Sequence, residues 1–240
     1  MGGKMLDLTQ PWNTLPWVVL DFETTGVDPL ACAPVSVAAV RFELGKEVEH
    51  YYCVVSPGVS IPPESTAIHG ICDEHVRDAA PLIEHAQALF DIGKEALPAA
   101  FNASFDRTIL HRHIAGTDCP LFDPTHLWLC PLVVIREVDR YERGKGRHKL
   151  ETCCARWGVE LDDAHNALAD ARATGRLLWR LFEKGKIRDY AAAQILPLIE
   201  QRRAAQNADF QAFLARQTAN EEAAPKAEQQ GLFESPGDST

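Results

Sequence analysis

The sequence predicts a mixed α/β fold in which helices pack on a sheet. Residues 17–22 (WVVLDF) form an apolar run with β-branched residues, which is typical of a buried central strand. Two more strands are predicted at 35–42 and 47–55, and the short connection around Gly45 predicts that they form a hairpin. Helical spacing of apolar residues dominates the later sequence. The clearest helical stripe consists of Ala167, Ala171, Thr174, Leu178 and Leu181.

The predicted elements between the hairpin and this stripe combine helices with one further strand. Residues 56–63 contain three prolines and a glycine, which predicts a loop. In chain order there follow a helix near 82–90, a short strand at 96–101, and helices at 104–114, about 127–141 and 150–158. Because strands come first and helices later, a sheet covered by helices is the expected architecture.

Composition divides the chain into a folded domain at 1–184, a helical extension at 185–219 and a flexible tail at 220–240. The extension is rich in alanine and has apolar anchors that suit two more helices. These anchors are Ile195, Leu198, Ile199, Phe210 and Phe213. The tail is polar and acidic, which is typical of a segment that forms no packed core.

Charge and cysteine content narrow the class of protein. The chain has 240 residues and a formal net charge of −10, which argues against nucleic-acid binding unless bound cations supply positive charge. Its 7 cysteines are odd in number and form no C-x-x-C pair, so we expect reduced thiols. No apolar run is long enough to span a bilayer, and the N-terminus lacks the apolar segment of a signal peptide. We therefore expect a cytoplasmic protein.

Asp21 and Glu23 stand at the end of the first predicted strand. Residues i and i+2 of a strand point to the same face, so the two carboxylates are expected side by side. Such a pair is repulsive unless a cation neutralises it, and Mg²⁺ prefers oxygen ligands of this kind. On an ordinary surface strand the pair would only be solvated. Here it follows a buried run and precedes the turn at 24–26 (TTG), which favours a ligand site.

Three further residues could complete this site. Asp106 is expected in the first turn of a helix just after a strand, where the alternative is that Ser104 caps the helix and Asp106 only favours its dipole. Asp170 lies beside a face of small residues that would let its helix approach the sheet closely. His165 is five residues earlier, so it is expected before the helix begins, with Asn166 as the cap. A histidine there is suited to act as a general base for metal-bound water, and an exposed loop histidine is the alternative.

These residues occur in an ordered set of motifs: LDFETTG, IHGI, NASFD, and LETCCARWGVEL followed by HNALADA. The set resembles the DEDDh-type 3′→5′ exonucleases of the DnaQ-like family, which includes the proofreading epsilon subunit of bacterial replicative polymerases. The resemblance covers residues 17–182. It implies an RNase H-like fold with a mixed, five-stranded sheet flanked by helices.

The resemblance also implies a site with two divalent metal ions, Mg²⁺ or Mn²⁺. Asp21, Glu23 and Asp170 would hold the ion that binds the attacking water, and Asp21 would bridge to the second ion. Asp106 would support the second ion, and His165 would be the general base. The substrate-side positions would be Thr24, Thr25, His69 and Asn102. Phe101 departs from the family pattern, since several members have a polar residue there.

Two more segments suggest contacts with partners. The basic segment at 136–149 could guide a nucleic-acid backbone through Arg143, Lys145, Arg147 and Lys149, or could be an ordinary solvated loop. The C-terminal QQGLF resembles the short peptide by which bacterial replication proteins bind the sliding clamp, and a chance apolar pair is the alternative. Its contact residues would be Gln229, Leu232 and Phe233.

The leading hypothesis is a metal-dependent 3′→5′ exonuclease that converts single-stranded or mismatched DNA 3′ ends into nucleoside monophosphates. Such an enzyme could proofread for a replicative polymerase, with a tether compensating for weak intrinsic affinity for DNA. Two alternatives remain: an exoribonuclease that trims RNA on the same fold, and a catalytically inactive adaptor that binds the clamp.

Overall fold

The structure, a computed structural model, describes residues 6–115, 127–142, 144 and 146–223. Within these ranges a single sheet of four strands forms, in the order β3-β2-β1-β4. The strands are β1 (Trp17–Thr24), β2 (Pro34–Glu43), β3 (Lys46–Val54) and β4 (Leu97–Ala99). Strand β1 pairs antiparallel with β2 and parallel with β4, so the predicted mixed sheet with a buried central strand is confirmed.

The expectation of five strands is wrong for the described residues. Leu129 forms an isolated parallel bridge with Ala99 at the free edge of β4. Its N–H donates to the Pro98 carbonyl at 2.9 Å, and its own carbonyl accepts from the Ala100 N–H at 3.2 Å. Pro131 then begins a helix, and a proline cannot donate to a sheet ladder. Residues 116–126, which precede this bridge, lie outside the described residues.

The predicted hairpin between β2 and β3 is present. Its two turn residues, Leu44 and Gly45, have positive φ values of 48° and 79°. Two successive residues with positive φ are the signature of the turn that best matches the right-handed twist of a hairpin. A Cβ at Gly45 would also overlap the ring of Trp179, so the position requires glycine for two reasons.

Helices cover this sheet and extend beyond it. They are α1 (Pro63–His69), α2 (Asp73–Val76), α3 (Ala86–Gly93), α4 (Ala103–Ile114), α5 (Pro131–Val138), α6 (Leu150–Trp157), α7 (Ala167–Glu183) and α8 (Ala192–Ala223). Short 3₁₀ turns occur at Trp12–Thr14 and Leu82–His85. The helix predicted at 127–141 is therefore shorter, because its first residues run beside β4. No helix in the described ranges has the length and apolar character needed to cross a lipid bilayer.

The C-terminal part differs from the sequence-based division. The region predicted to hold two helices forms the single helix α8, which contains Pro197 and continues to Ala223, past the predicted start of the tail. The chain divides into two compact units after Arg203 rather than at residue 184. The first unit extends past residue 184 because Ile187, Ile195 and Ile199 are buried in the main hydrophobic core.

Helix α7 lies against the face of β1 that carries Asp21 and Glu23. Trp179 of α7 stacks on Trp17 of β1 with ring centroids 5.8 Å apart, and successive strand residues alternate between faces. Asp170 and Trp179 are nine residues apart on the helix, and Asp21 and Trp17 are four apart on the strand. Both separations correspond to about 13 Å. The aromatic contact at one end therefore sets Asp170 at the same level along β1 as Asp21 at the other.

Gly175 makes the close approach of α7 to the sheet feasible. A Cβ at this position would overlap the ring of Phe42 on β2, and the neighbouring Thr174 and Ala171 are fully buried. A small-residue face on α7 was expected from the sequence, and this face lets the helix pack closely against the sheet.

We expect Gly175→Ala to lower the free energy of unfolding by about 1–3 kcal/mol, since the added methyl group must displace a buried ring. Denaturation in urea would measure the change. Adding Phe42→Leu should recover part of the loss, because leucine removes the ring that clashes. If the single variant is as stable as the wild type, the helix does not depend on this close contact.

Candidate active site

Strand β1 carries two carboxylates close together at its C-terminal end. Asp21 pairs with Ala38 of β2 and Glu23 with Ser36, and the register breaks between Glu23 and Thr24. The two side chains therefore lie at the end of a regular strand and on the same face.

Asp170 reaches the same point from the first turn of α7. The Asn166 side chain caps this helix, accepting hydrogen bonds from the N–H groups of Leu168 and Ala169 at 3.1 and 3.3 Å. The Asp170 N–H donates to the Asn166 carbonyl at 2.9 Å, which fixes its backbone. Carboxylate oxygens of Asp21, Glu23 and Asp170 lie within 4.8 Å of one another. In the part of the chain that the structure describes, these three residues are the group that could hold a metal ion.

Asp106 lies beside this group without belonging to it. It occupies the first turn of α4, directly after β4, and is only 5% exposed. Its charge acts on Asp21, and backbone N–H groups of Asp106 itself and of Phe22 act on its carboxyl. Asp106 is therefore close to the metal-binding group, and its predicted role in supporting a second ion remains a prediction.

The electrostatics of the four acids favour a bound cation. Burial, with the charges of Asp106, Asp170 and Glu23, raises the pKa of Asp21 well above its usual value. Burial, followed by the Asp170 charge, raises the pKa of Glu23 to about 7. Burial also raises the pKa of Asp106 to about 8 and that of Asp170 to about 6. Four acids that resist ionisation together are a donor set that a hard divalent cation would neutralise.

His165 precedes α7, as the sequence predicts. It has a left-handed backbone, with φ at 69°, and its N–H donates to Oδ2 of Asp170 at 3.3 Å. Its imidazole Nε2 lies 3.6 Å from Oε1 of Glu151, and the side chain is 44% exposed. The imidazole is therefore at the rim of the carboxylate group, where it contacts a residue that the sequence did not single out.

The predicted substrate-side residues have distinct surroundings. The Thr24 hydroxyl donates to the Gly26 carbonyl at 2.7 Å, and the Thr25 hydroxyl accepts from the Ala33 N–H at 3.0 Å. These bonds shape the turn after β1. Burial lowers the pKa of His69, opposed by a backbone hydrogen bond with Thr24 and reinforced by the charge of His165. His69 therefore lies close to the turn and to the imidazole.

Asn102 occupies the N-cap position of α4 and accepts a hydrogen bond from the Ser104 hydroxyl at 3.2 Å. Ser104 is thus not the cap that the alternative interpretation of Asp106 invoked. Asn102 sits at the start of the helix that carries Asp106, and its contact with substrate remains a prediction.

The predicted basic contacts are only partly described. Arg147 lies 3.5 Å from the Glu142 carboxylate, and Lys149 is the N-cap residue of α6. The pairing with Glu142 neutralises part of the positive charge available for a phosphate backbone. The remaining predicted contacts, Arg143, Lys145, Gln229, Leu232 and Phe233, lie outside the described residues.

Sequence reasoning missed two acids that act on the site. Charges of Glu151 and Asp163 both raise the pKa of Asp170, after the larger effect of burial and against the effect of His165. Glu151 belongs to the LETCC segment that carries one of the motifs, so a signal was present. No local pattern, however, indicates that its carboxylate would meet His165.

A mixed sheet flanked by helices, with carboxylates from β1 and α7 meeting at the end of its central strand and Asp106 beside them, is an arrangement suited to a nuclease of the exonuclease class. The family model described as Exonuclease (RNase T) matches residues 18–178. The chain therefore belongs to the DnaQ-like exonuclease family.

Similar sequences occur within bacterial polymerases. The chain is 34% identical over 165 residues to the PolC-type DNA polymerase III of Streptococcus pyogenes serotype M2 (strain MGAS10270). It is 33% identical over 165 residues to that of Streptococcus thermophilus (strain ATCC BAA-491 / LMD-9). Each match covers 68% of this chain and 11% of the polymerase, so the chain spans only a small part of the curated relatives it matches.

Solved structures share the fold. Exonuclease X in complex with 5′ overhanging duplex DNA has a TM-score of 0.58 and 23% identity, covering 74% of this chain and 98% of that one. E. coli exonuclease I in complex with a dT13 oligonucleotide has a TM-score of 0.57 and 21% identity, covering 70% of this chain and 41% of that one.

We expect the metal-free protein to lose stability as pH rises from about 5 to about 8.5. The folded-state pKa values of Glu23, Asp106 and Asp170 lie above the unfolded value of about 4. The stability from their protonated forms is therefore complete below about pH 4 and is lost as pH rises through about 6 to 8. Mg²⁺ should raise the melting temperature by several degrees at the alkaline end and less at the acidic end.

Thermal melting in EDTA and in Mg²⁺ across this range would test the expectation. Asp170→Asn should reduce both the pH dependence and the gain from Mg²⁺, because it removes one of the charges. An equal Mg²⁺ effect at every pH would contradict a site built on these acids.

Proposed function

We propose that the protein is a metal-dependent 3′→5′ exonuclease that removes nucleoside monophosphates from single-stranded or mismatched DNA 3′ ends. The observation that carries this proposal is the meeting of Asp21, Glu23 and Asp170 within 4.8 Å in a chain of the exonuclease family. The raised pKa values of the acids support a cation as part of the working site.

In this proposal Asp21, Glu23 and Asp170 would hold divalent metal, Mg²⁺ or Mn²⁺, and Asp106 would support a second ion. Bound ions of this kind supply an activated water and stabilise the oxygen that leaves. An all-oxygen donor set suits a hard cation, which agrees with the residues present. The strand, the helix cap at Asn166 and the core fix the acids before any metal binds.

His165 accepts the proton of the attacking water in this scheme. The water oxygen forms a bond to the terminal phosphorus, the bond from phosphorus to the 3′ oxygen breaks, and solvent protonates the leaving oxygen. His165 is suited to this task because its backbone is tied to Asp170 while its imidazole remains partly exposed at the rim. Thr24, Thr25, His69 and Asn102 then position the terminal nucleotide.

DNA is the substrate that the comparisons favour. The similar sequences are DNA polymerases, and the similar structures named above were solved with DNA. We therefore propose a proofreading task beside a replicative polymerase in the cytoplasm, with Arg143, Lys145, Arg147 and Lys149 along the DNA backbone. A net charge of −10 predicts weak affinity for free DNA, which a tether would offset. The proposed tether is the QQGLF segment bound to the sliding clamp.

Asp21→Asn should reduce hydrolysis of a mismatched primer end by roughly 10³-fold, because it removes the central ligand of the metal group. Release of monophosphates from 5′-labelled primer–templates in Mg²⁺ would measure the rate. Asp78→Asn, a change at an exposed acid outside the site, is the matched control and should keep the wild-type rate.

The same assay with matched DNA and RNA strands separates the substrate classes. Equal rates in Asp21→Asn and wild type would reject the site, and a strong preference for RNA would reject proofreading. An inactive wild type that still binds the clamp would indicate an adaptor.

Substituting Leu232 and Phe233 together with alanine should weaken binding to a bacterial sliding clamp by about 30-fold, since two large apolar anchors are lost. Surface plasmon resonance with immobilised clamp would measure the affinity. Glu234→Gln, which alters only the neighbouring charge, should bind like the wild type. Equal clamp affinity in the wild type, the double alanine variant and Glu234→Gln would reject the tail as the clamp-binding segment.

A further inference from the structure

The imidazole of His165 meets a carboxylate that is not one of the metal-binding acids. Its Nε2 lies 3.6 Å from Oε1 of Glu151, and both side chains are partly exposed, at 44% and 38%. We propose that Glu151 is a positioning residue for His165, holding the imidazole at the rim of the site. This inference rests on the proposed function, in which His165 takes the proton of the attacking water.

The backbone of His165 is fixed, but its side chain requires a second support. The hydrogen bond from the His165 N–H to Asp170 restrains only the main chain. Residues 158–166 connect α6 to α7, and His165 has a left-handed backbone within this connection. An imidazole that is nearly half exposed would otherwise sample several rotamers, and only some of them can reach the water.

Glu151 is well placed to provide that support because its helix is anchored. It lies in the first turn of α6, whose buried residues Leu150, Cys153 and Cys154 belong to the main core. Helix α6 also packs against α7, which His165 precedes. The two backbones that carry the pair are therefore held at a fixed separation.

Two carboxylates lie near His165, and they contact different parts of it. The Asp170 carboxylate accepts from the main-chain N–H of His165, whereas the Glu151 carboxylate lies next to the imidazole itself. Asp170 belongs to the group that could hold a metal ion, so Glu151 is the carboxylate that can orient the imidazole. A carboxylate that orients a basic histidine is an established arrangement in hydrolases.

Two other roles for Glu151 make different predictions. Glu151 could favour α6 simply as an acid in its first turn, which would affect stability and not the chemical step. It could also be a further metal ligand, although the group within 4.8 Å comprises Asp21, Glu23 and Asp170. In either case replacing Glu151 would still lower stability or metal binding in a variant that lacks the His165 imidazole.

A double-mutant cycle on DNA hydrolysis separates these roles. We expect Glu151→Gln to lower kcat about tenfold, part of what a general base contributes, with KM for single-stranded DNA and the Mg²⁺ requirement within twofold of wild type. Glu151→Asp keeps the charge, so its kcat should lie between those of Glu151→Gln and the wild type. In a His165→Ala background, Glu151→Gln should cause no further loss of kcat. The double variant should have the same melting temperature as His165→Ala alone.

Asp163→Asn is the matched control. Asp163 is a second acid whose charge acts on Asp170, whereas the carboxylate next to His165 Nε2 is that of Glu151. The inference is overturned if Glu151→Gln keeps full kcat, if Asp163→Asn causes the same loss, or if the loss is equal with and without His165. A raised Mg²⁺ requirement would assign Glu151 to the metal instead. An inactive wild type would refute the proposed function itself, which is a distinguishable result.

Discussion

The close packing of α7 against β1 is the contact on which the site depends. Trp179 stacks on Trp17 at one end, and Gly175 brings the helix against Phe42 of the neighbouring strand. Because nine helical residues and four strand residues cover about the same length, this contact places Asp170 at the level of Asp21. A shift of the helix by one turn would move Asp170 by about 5 Å and separate the metal-binding acids.

The packing also maintains an arrangement that the acids themselves oppose. Burial raises the pKa of all four acids and neighbouring acidic charges raise it further, so the folded protein without metal resists ionising them. The surrounding hydrophobic core and the backbone hydrogen bonds outweigh this cost. Bound cations would remove it, which links the stability of the protein to the chemistry of the site.

The acidic character of the chain agrees with this view. A net charge of −10 would repel a phosphate backbone, but part of that charge belongs to acids of the candidate metal site. The basic residue Arg147 is itself paired with Glu142. Affinity for DNA in the proposed enzyme therefore comes from bound cations, from backbone contacts near the 3′ end and from a tether.

The sequence by itself determined features set by neighbouring residues: the two acids on one face of β1, the hairpin turn at Gly45, the Asn166 cap and the place of His165 before α7. It also carried the motifs of the exonuclease family. Tertiary structure alone decided that pairing beside β4 stops at Leu129, that Ile195 and Ile199 of α8 join the core, and that Glu151 meets His165. Strand alternation and helix capping are local and can be derived from a few adjacent residues. Distances between segments depend on how whole elements pack, which no short stretch of sequence specifies.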